Sequence, residues 1–207
     1  MMGKSMLALA FVLIVALTGC AGTVTKGLLL PSLTVSEQAE AAKLEQAMAL
    51  VKEDCVYQAR LSGASLSYCQ WIAPHVVVVR NGATPRYQNG YNKIEIPRSL
   101  LINHPVAHAV LSHELSHAWF SDARDDCRDV QKIVLCEQAA NRWAVRVLQV
   151  GYGYSHGQAI AAVRAYLVRA VVQKAQPSRG HPDACAETHA FELWAGVTPL
   201  YPCQEEG

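Results

Sequence analysis

The chain reads as α+β, a small sheet packed against several helices. Three observations carry this. The stretch from Glu37 to about Arg60 is rich in Ala, Glu, Gln, Lys and Leu, a helix-forming composition. Val76 to Val79 is a β-branched run, and Tyr91 to Ile96 alternates polar with apolar residues, so both predict strands. An apolar run from Val106 to Phe120 has no breaker inside it and predicts a further helix. No internal repeat or low-complexity segment interrupts the pattern.

In chain order, Met1 to Lys4 is a short basic start, Ser5 to Ala16 is apolar, and Leu17-Thr18-Gly19-Cys20 follows. That order describes a secretory signal, and its apolar part is too short for a comfortable membrane span. The four residues ending in Cys20 resemble the bacterial lipobox. The resemblance implies a signal peptide over 1–19, cleavage before Cys20, and acylation (palmitate) on that cysteine. It implies a lipoprotein of the bacterial envelope. Ala21, where Asp would signal retention, resembles an outer-membrane address facing the periplasm. Residues 20–33 are expected to be a tether and 34–207 one domain.

Thr34-Val-Ser-Glu37 fits a capping box that opens the first helix. Leu61 to Gln70, with Gly63 and several Ser, reads as loop. Asn81-Gly82 and Asn89-Gly90 are turn signals, and Arg86-Tyr87 starts a second strand between them. Pro97 ends the strand that begins at Tyr91, which suits a sheet edge able to take a substrate peptide as an added strand. Pro105 fits the first position of the next helix. A polar, Asp-rich loop is expected from Ser121 to about Lys132, then a helix from near Cys136 to Val150, broken by Gly151 and Gly153. Ser155-His-Gly-Gln158 is a second capping box, for a helix reaching about Gln176. A last helix spans about Asp183 to Ala195, with Gly196 at its end.

Lys and Arg number 18 and Asp and Glu 17. Loss of Lys4 with the signal makes them equal, and a neutral chain of mixed charge leaves no footprint for nucleic acid. Of the seven Cys, Cys20 is assigned to lipid. Cys55, Cys69, Cys127, Cys136, Cys185 and Cys203 form an even set, which in an exported chain reads as disulfides. Neighbour pairing, 55–69, 127–136 and 185–203, is the simplest arrangement.

His113-Glu114-Leu115-Ser116-His117 falls within the apolar helix. Residues four apart share a helix face, so His113 and His117 aim two imidazoles at one point. Glu114 sits one step round, within reach of a water held there. This is the HExxH arrangement of zinc hydrolases, two ligands and a general base. A catalytic zinc takes three protein ligands. The metzincin pattern needs Gly at 120 and His at 123, where this chain has Phe120 and Ala123. Glu137 is a candidate third donor, and Asn141 lies one turn further along the same face, followed by Ala144 and Leu148.

From about residue 90 to 150 the chain resembles the gluzincin metalloproteases, most nearly their HtpX-like and Oma1-like branch. The similarity rests on a strand followed by Ile96-Pro97-x-x-Leu100-Leu101, the HExxH helix, and Glu137-Gln-Ala-Ala-Asn141. It implies a zincin-like fold with an edge strand above the cleft. It implies one Zn²⁺ held by His113, His117 and Glu137, with Glu114 as general base in peptide hydrolysis. The group usually has Asp where this chain has Asn141. A carboxylate there accepts the far N–H of a ligand histidine, and an amide oxygen makes the same bond without the charge. His181-Pro182 resembles a His-Pro element near the group's active site, which makes His181 an auxiliary candidate. Tyr152, Tyr154, His156 and His189 are alternatives for that part, and His104 with His108 repeats the four-residue spacing at the helix start. The expected partners are a peptide or protein substrate and, through Cys20, a membrane. The competing reading is a zinc-binding lipoprotein that acts as a scaffold or assembly factor without turnover.

Overall fold

A computed structural model describes residues 32–66, 69, 75–79, 81–88, 93–120, 130–173 and 183–199. Among the described residues the architecture is α+β, with five α-helices and a three-stranded sheet. Helix α1 spans Val35–Ser62. Its capping box forms as the sequence predicts, Thr34 bonding the Glu37 backbone while the Glu37 side chain bonds back to Thr34. Gly63, at φ 69°, closes the helix in the left-handed region, so it runs two residues beyond the expected end. Arg98 ties the Glu37 carboxylate to the far end of the sheet.

Strands β1 (His75–Val79), β2 (Arg86–Gln88) and β3 (Lys93–Pro97) are ordered β1-β3-β2. β3 runs parallel to β1 and antiparallel to β2. The segment expected at a sheet edge is therefore the middle strand. Alternation reports which face a residue occupies, not whether the strand has one neighbour or two. Ile94 and Ile96 are fully buried, while Glu95 lies on the other face and pairs with Arg86 of β2 and Lys93. Pro97 is tolerated because it is the last residue of the strand. Among the described residues the edge strands are β1 and β2.

A single 3₁₀ turn, Arg98–Leu100, leads to helix α2, Pro105–Phe120, which starts on the expected proline. Ala107 to Ser116 are all buried, so α2 has no solvent stripe. A helix buried on every side must have neighbours on every side. On one side Leu111, Leu115 and Ala118 join Leu44 and Val51 of α1 and Ile94 and Ile96 of β3. On the other, Ala109 joins a second core made by α3, α4 and α5.

Helix α3 spans Val130–Tyr152, starting about six residues before the expected point. The stretch Val130-Gln-Lys-Ile-Val-Leu135 has no breaker and continues the helix toward its N-terminus. Glu137 is consequently two turns inside α3 rather than at its start. Gly151 lies inside α3, and α1 passes close against it. A Cβ at Gly151 would lie 2.7 Å from the Ala47 Cβ. Gly153, at φ 71°, is the residue that ends the run. Helix α4, His156–Val172, opens on the Ser155 capping box and stops before the expected end. Helix α5, Ala184–Ala195, is capped by the Asp183 side chain and closed by Gly196.

Cys55 and Cys69 form a disulfide that ties α1 to the segment after it. Cys136 and Cys185 are also disulfide-bonded. Their expected partners, Cys127 and Cys203, lie outside the described residues, as do Cys20, the tether to residue 31 and the Asp-rich loop. Among the described residues no helix is long and apolar enough to cross a membrane.

Candidate metal centre

Helix geometry sets the first half of the site. His113 and His117 project from one face of α2, with their rings 4.6 Å apart and nearly perpendicular. Their Nε2 atoms are 3.0 Å apart. The second half comes from α3, which lies closely against α2 because Ala140 and Ala144 are small and fully buried. That approach brings Glu137 to the same point. Its carboxylate oxygens lie 3.2 Å from His113 Nε2 and 3.4 Å from His117 Nε2. Asn141, one turn on, accepts from His113 Nδ1 through Oδ1 at 2.8 Å. His113, Glu137 and Asn141 are buried, and His117 is partly exposed.

That hydrogen bond decides the character of the site. A neutral imidazole that donates from Nδ1 carries a lone pair on Nε2. His113 Nε2 therefore faces His117 and Glu137 as an acceptor. A proton could satisfy one of these three contacts at a time, whereas a cation among them satisfies all three. The spacing also fits. Bonds of 2.0–2.1 Å to a tetrahedral ion put neighbouring donors about 3.3–3.4 Å apart, and the separations here are 3.0, 3.2 and 3.4 Å. His113, His117 and Glu137 could hold a metal ion. Comparisons with protein-family models, curated proteins and solved structures return no match. The chemistry is accordingly read from the side chains themselves.

Glu114 is buried, and its Oε2 accepts from the Tyr87 backbone N–H of β2 at 2.7 Å. That contact fixes the orientation of the carboxylate next in the chain to His113. It also makes β2, and not the alternating strand β3, the strand that meets the site. Glu114 lines a cleft of about 750 Å³, walled by Pro85, Leu100, Val106, Val110 and Ala170. Tyr166 of α4 lines the same cleft, and its ring centroid is 5.6 Å from that of His113. Burial first, then the charges of Glu114, Glu187 and Glu137, push its phenol well above the ordinary value of 10.

Two of these contributors escape sequence reasoning. The Tyr87 N–H is a backbone group and has no side-chain signature. Tyr166 occupies a helix position where an aromatic reads as core. The other histidines fall elsewhere. His104, His156 and His189 are exposed. His108, expected at an exposed helix start, is buried and bonds Glu40 of α1 at 3.1 Å and the Tyr154 hydroxyl at 2.8 Å. Tyr152 stacks on it, with centroids 4.4 Å apart. Tyr152 and Tyr154 thus serve this second cluster. His181 lies outside the described residues.

Proposed function

We propose that the chain is a zinc-dependent endopeptidase with a gluzincin-like catalytic arrangement on a zincin-like fold, held at the bacterial envelope by a lipid on Cys20. The observation that carries this reading is the convergence of two imidazoles and one carboxylate at tetrahedral spacing, with a second carboxylate fixed beside them in a cleft. The N₂O donor set suits zinc among the first-row divalent ions.

When bound, zinc supplies Lewis acidity and lowers the pKa of a neighbouring water. The protein's own residues do the rest. His113, His117 and Glu137 hold the ion, and Asn141 keeps the His113 ring in the tautomer that presents its lone pair. The Tyr87 N–H holds Glu114 Oε2, which leaves Oε1 to take a proton from the attacking water. Glu114 then returns that proton to the departing amine. The apolar cleft wall limits competing water and accepts substrate side chains.

The test uses the purified full chain in detergent. Metal analysis is expected to find one zinc per chain, and a peptide library is expected to be cleaved in a chelator-sensitive manner. Zinc binding without cleavage would favour the scaffold role. Absence of both would overturn the reading.

A further inference from the structure

Helix α4 borders both the cleft that holds Glu114 and a second groove. Tyr166, Arg169, Ala170 and Gln173 line the cleft. Residues a step round the helix, Ala161, Ala165, Val168 and Val172, line the second groove together with Val197, and it measures about 720 Å³. Arg169 and Gln173, one turn apart, line both, so the two cavities adjoin along that edge. Ala161, Ala165 and Val172 are exposed in the second groove. Arg164, which also lines it, serves the fold: it pairs with Glu192 at 2.7 Å and donates to the Thr198 carbonyl. Arg169 is exposed, and among the described residues its guanidinium has no ion pair or hydrogen bond. Glu114 and Glu187 line the cleft, but Glu114 is held by the Tyr87 N–H and Glu187 is buried on α5.

We propose that the second groove continues the cleft and holds the part of a polypeptide substrate that lies beyond the cut. The proposal rests on the peptidase reading. The occupant is an extended segment with an acidic side chain at Arg169 and apolar side chains past it. Continuity favours substrate, because a chain that leaves the cleft along α4 passes Arg169 and Gln173 before it meets the apolar wall. Charge favours the carboxylate, because a guanidinium takes a carboxylate through two parallel hydrogen bonds. Spacing sets the register. The Tyr166 ring lies 5.6 Å from that of His113, and Arg169 is three residues, about 5 Å, further along α4. The sum is roughly 10 Å, or about three residues of extended chain. The site therefore prefers long substrates to short ones, with a Glu or Asp about three positions from the scissile bond.

The experiment measures kcat/KM of the zinc-loaded full chain on cleaved peptides that carry Glu or Lys about two to four positions from the bond, on either side. An exposed ion pair is worth only a few-fold, but Glu against Lys sets attraction against repulsion. Wild type is therefore expected to favour Glu by at least about threefold at one of these positions. Arg169→Glu should reverse that preference and Arg169→Lys should keep it. Ala165→Trp fills the second groove from an exposed position. It should lower the ratio of kcat/KM for long over short peptides by about tenfold, the worth of roughly one apolar side chain left unburied. A weaker Glu preference, one that survives Arg169→Glu, or an unchanged length ratio would overturn the proposal and leave the peptidase reading standing. Dependences that show only after residues 200–207 are removed would give the groove to the chain's own tail and overturn it too. So would a wild-type dimer that Ala165→Trp breaks without changing the length ratio, since the occupant is then a second copy. If the wild type cleaves nothing, the peptidase reading fails first. Fluorescence anisotropy with labelled peptides rich in Glu and Leu, against their Lys counterparts, then decides. Tighter binding of the Glu peptide that Arg169→Glu reverses upholds the groove as a polypeptide site, and equal affinity or none overturns it.

Discussion

Helix α2 carries two buried histidine clusters on different sides, and they share their parts but not their logic. In each, a buried His of α2 meets a Glu from a neighbouring helix and a further polar side chain. At His108 every contact is completed by a proton. Nε2–H donates to Glu40, Nδ1 accepts from the Tyr154 hydroxyl, and Lys43 donates to the other Glu40 oxygen at 2.7 Å. At His113 the Asn141 bond turns the remaining nitrogen into an acceptor, and that acceptor faces His117 and Glu137. The hydrogen bonds of His108 and Glu40 are made within the first cluster, whereas the second could hold a cation. Which atoms converge, and with what protonation, separates a structural histidine from a ligand. The i,i+4 spacing does not, because His104 and His108 have it as well.

The sharpest way to break this comparison is at the acid–base group. Glu114→Gln is expected to lower the cleavage rate by about 10²–10⁴-fold, the usual worth of a positioned base, with zinc content intact. Full activity in that variant would remove Glu114 from the chemistry. His113→Ala and Glu137→Ala are expected to weaken zinc by at least about a hundredfold, since loss of a mere supporting partner already costs 10–100-fold. Equilibrium dialysis against a competing chelator measures this. Asn141→Leu removes only the support and should weaken zinc by about 10–100-fold, whereas Asn141→Asp should tighten it. An unchanged affinity in both would mean that the Asn141 contact does not set the His113 tautomer.

The completed cluster should respond in the opposite way. His108→Ala is expected to cost about 1–3 kcal/mol in denaturant unfolding, because it strips a partner from buried Glu40, while zinc affinity stays at the wild-type value. Loss of zinc in that variant would show that the two sides of α2 act as one unit.

What the sequence makes legible here is local. The Thr34 and Ser155 capping boxes are set by bonds within one turn and the start of α2 by the fixed φ of Pro105, and each is present. The pairing of His113 with His117 is legible for the same reason, as both lie on one helix. Glu137 and Asn141 required a second helix to arrive in register, and their shared face with Ala144 and Leu148 indicated which side would arrive. The central place of β3, the burial of His108 and the role of Tyr87 depend on neighbours distant in the chain. Periodicity gives the face of a residue within its own element but not what stands opposite. The early start of α3 is hard to read because Asp129, a residue type that favours helix starts, directly precedes it within a run of Asp that reads as loop.

The smallest expected effect concerns acid, and it isolates the proton-completed cluster. Burial pushes the Glu40 carboxyl up, but hydrogen bonds from Lys43 and His108 outweigh it and hold the group below its usual 4.5. A carboxyl whose folded value lies below its unfolded value binds fewer protons in the folded state. It therefore adds stability above pH 4.5, and that contribution is lost as pH falls below 4.5 toward the lowered folded value. Glu40→Gln keeps the shape and removes the titration. The stability difference between wild type and Glu40→Gln, measured on metal-free protein, should be about 1 kcal/mol or less near neutrality and shrink as pH drops below 4.5. A difference that grew on acidification would mean that Glu40 is favoured in its protonated form. His108 Nε2 would then have to be the acceptor, and the distinction between the two sides of α2 would fail at its simpler end.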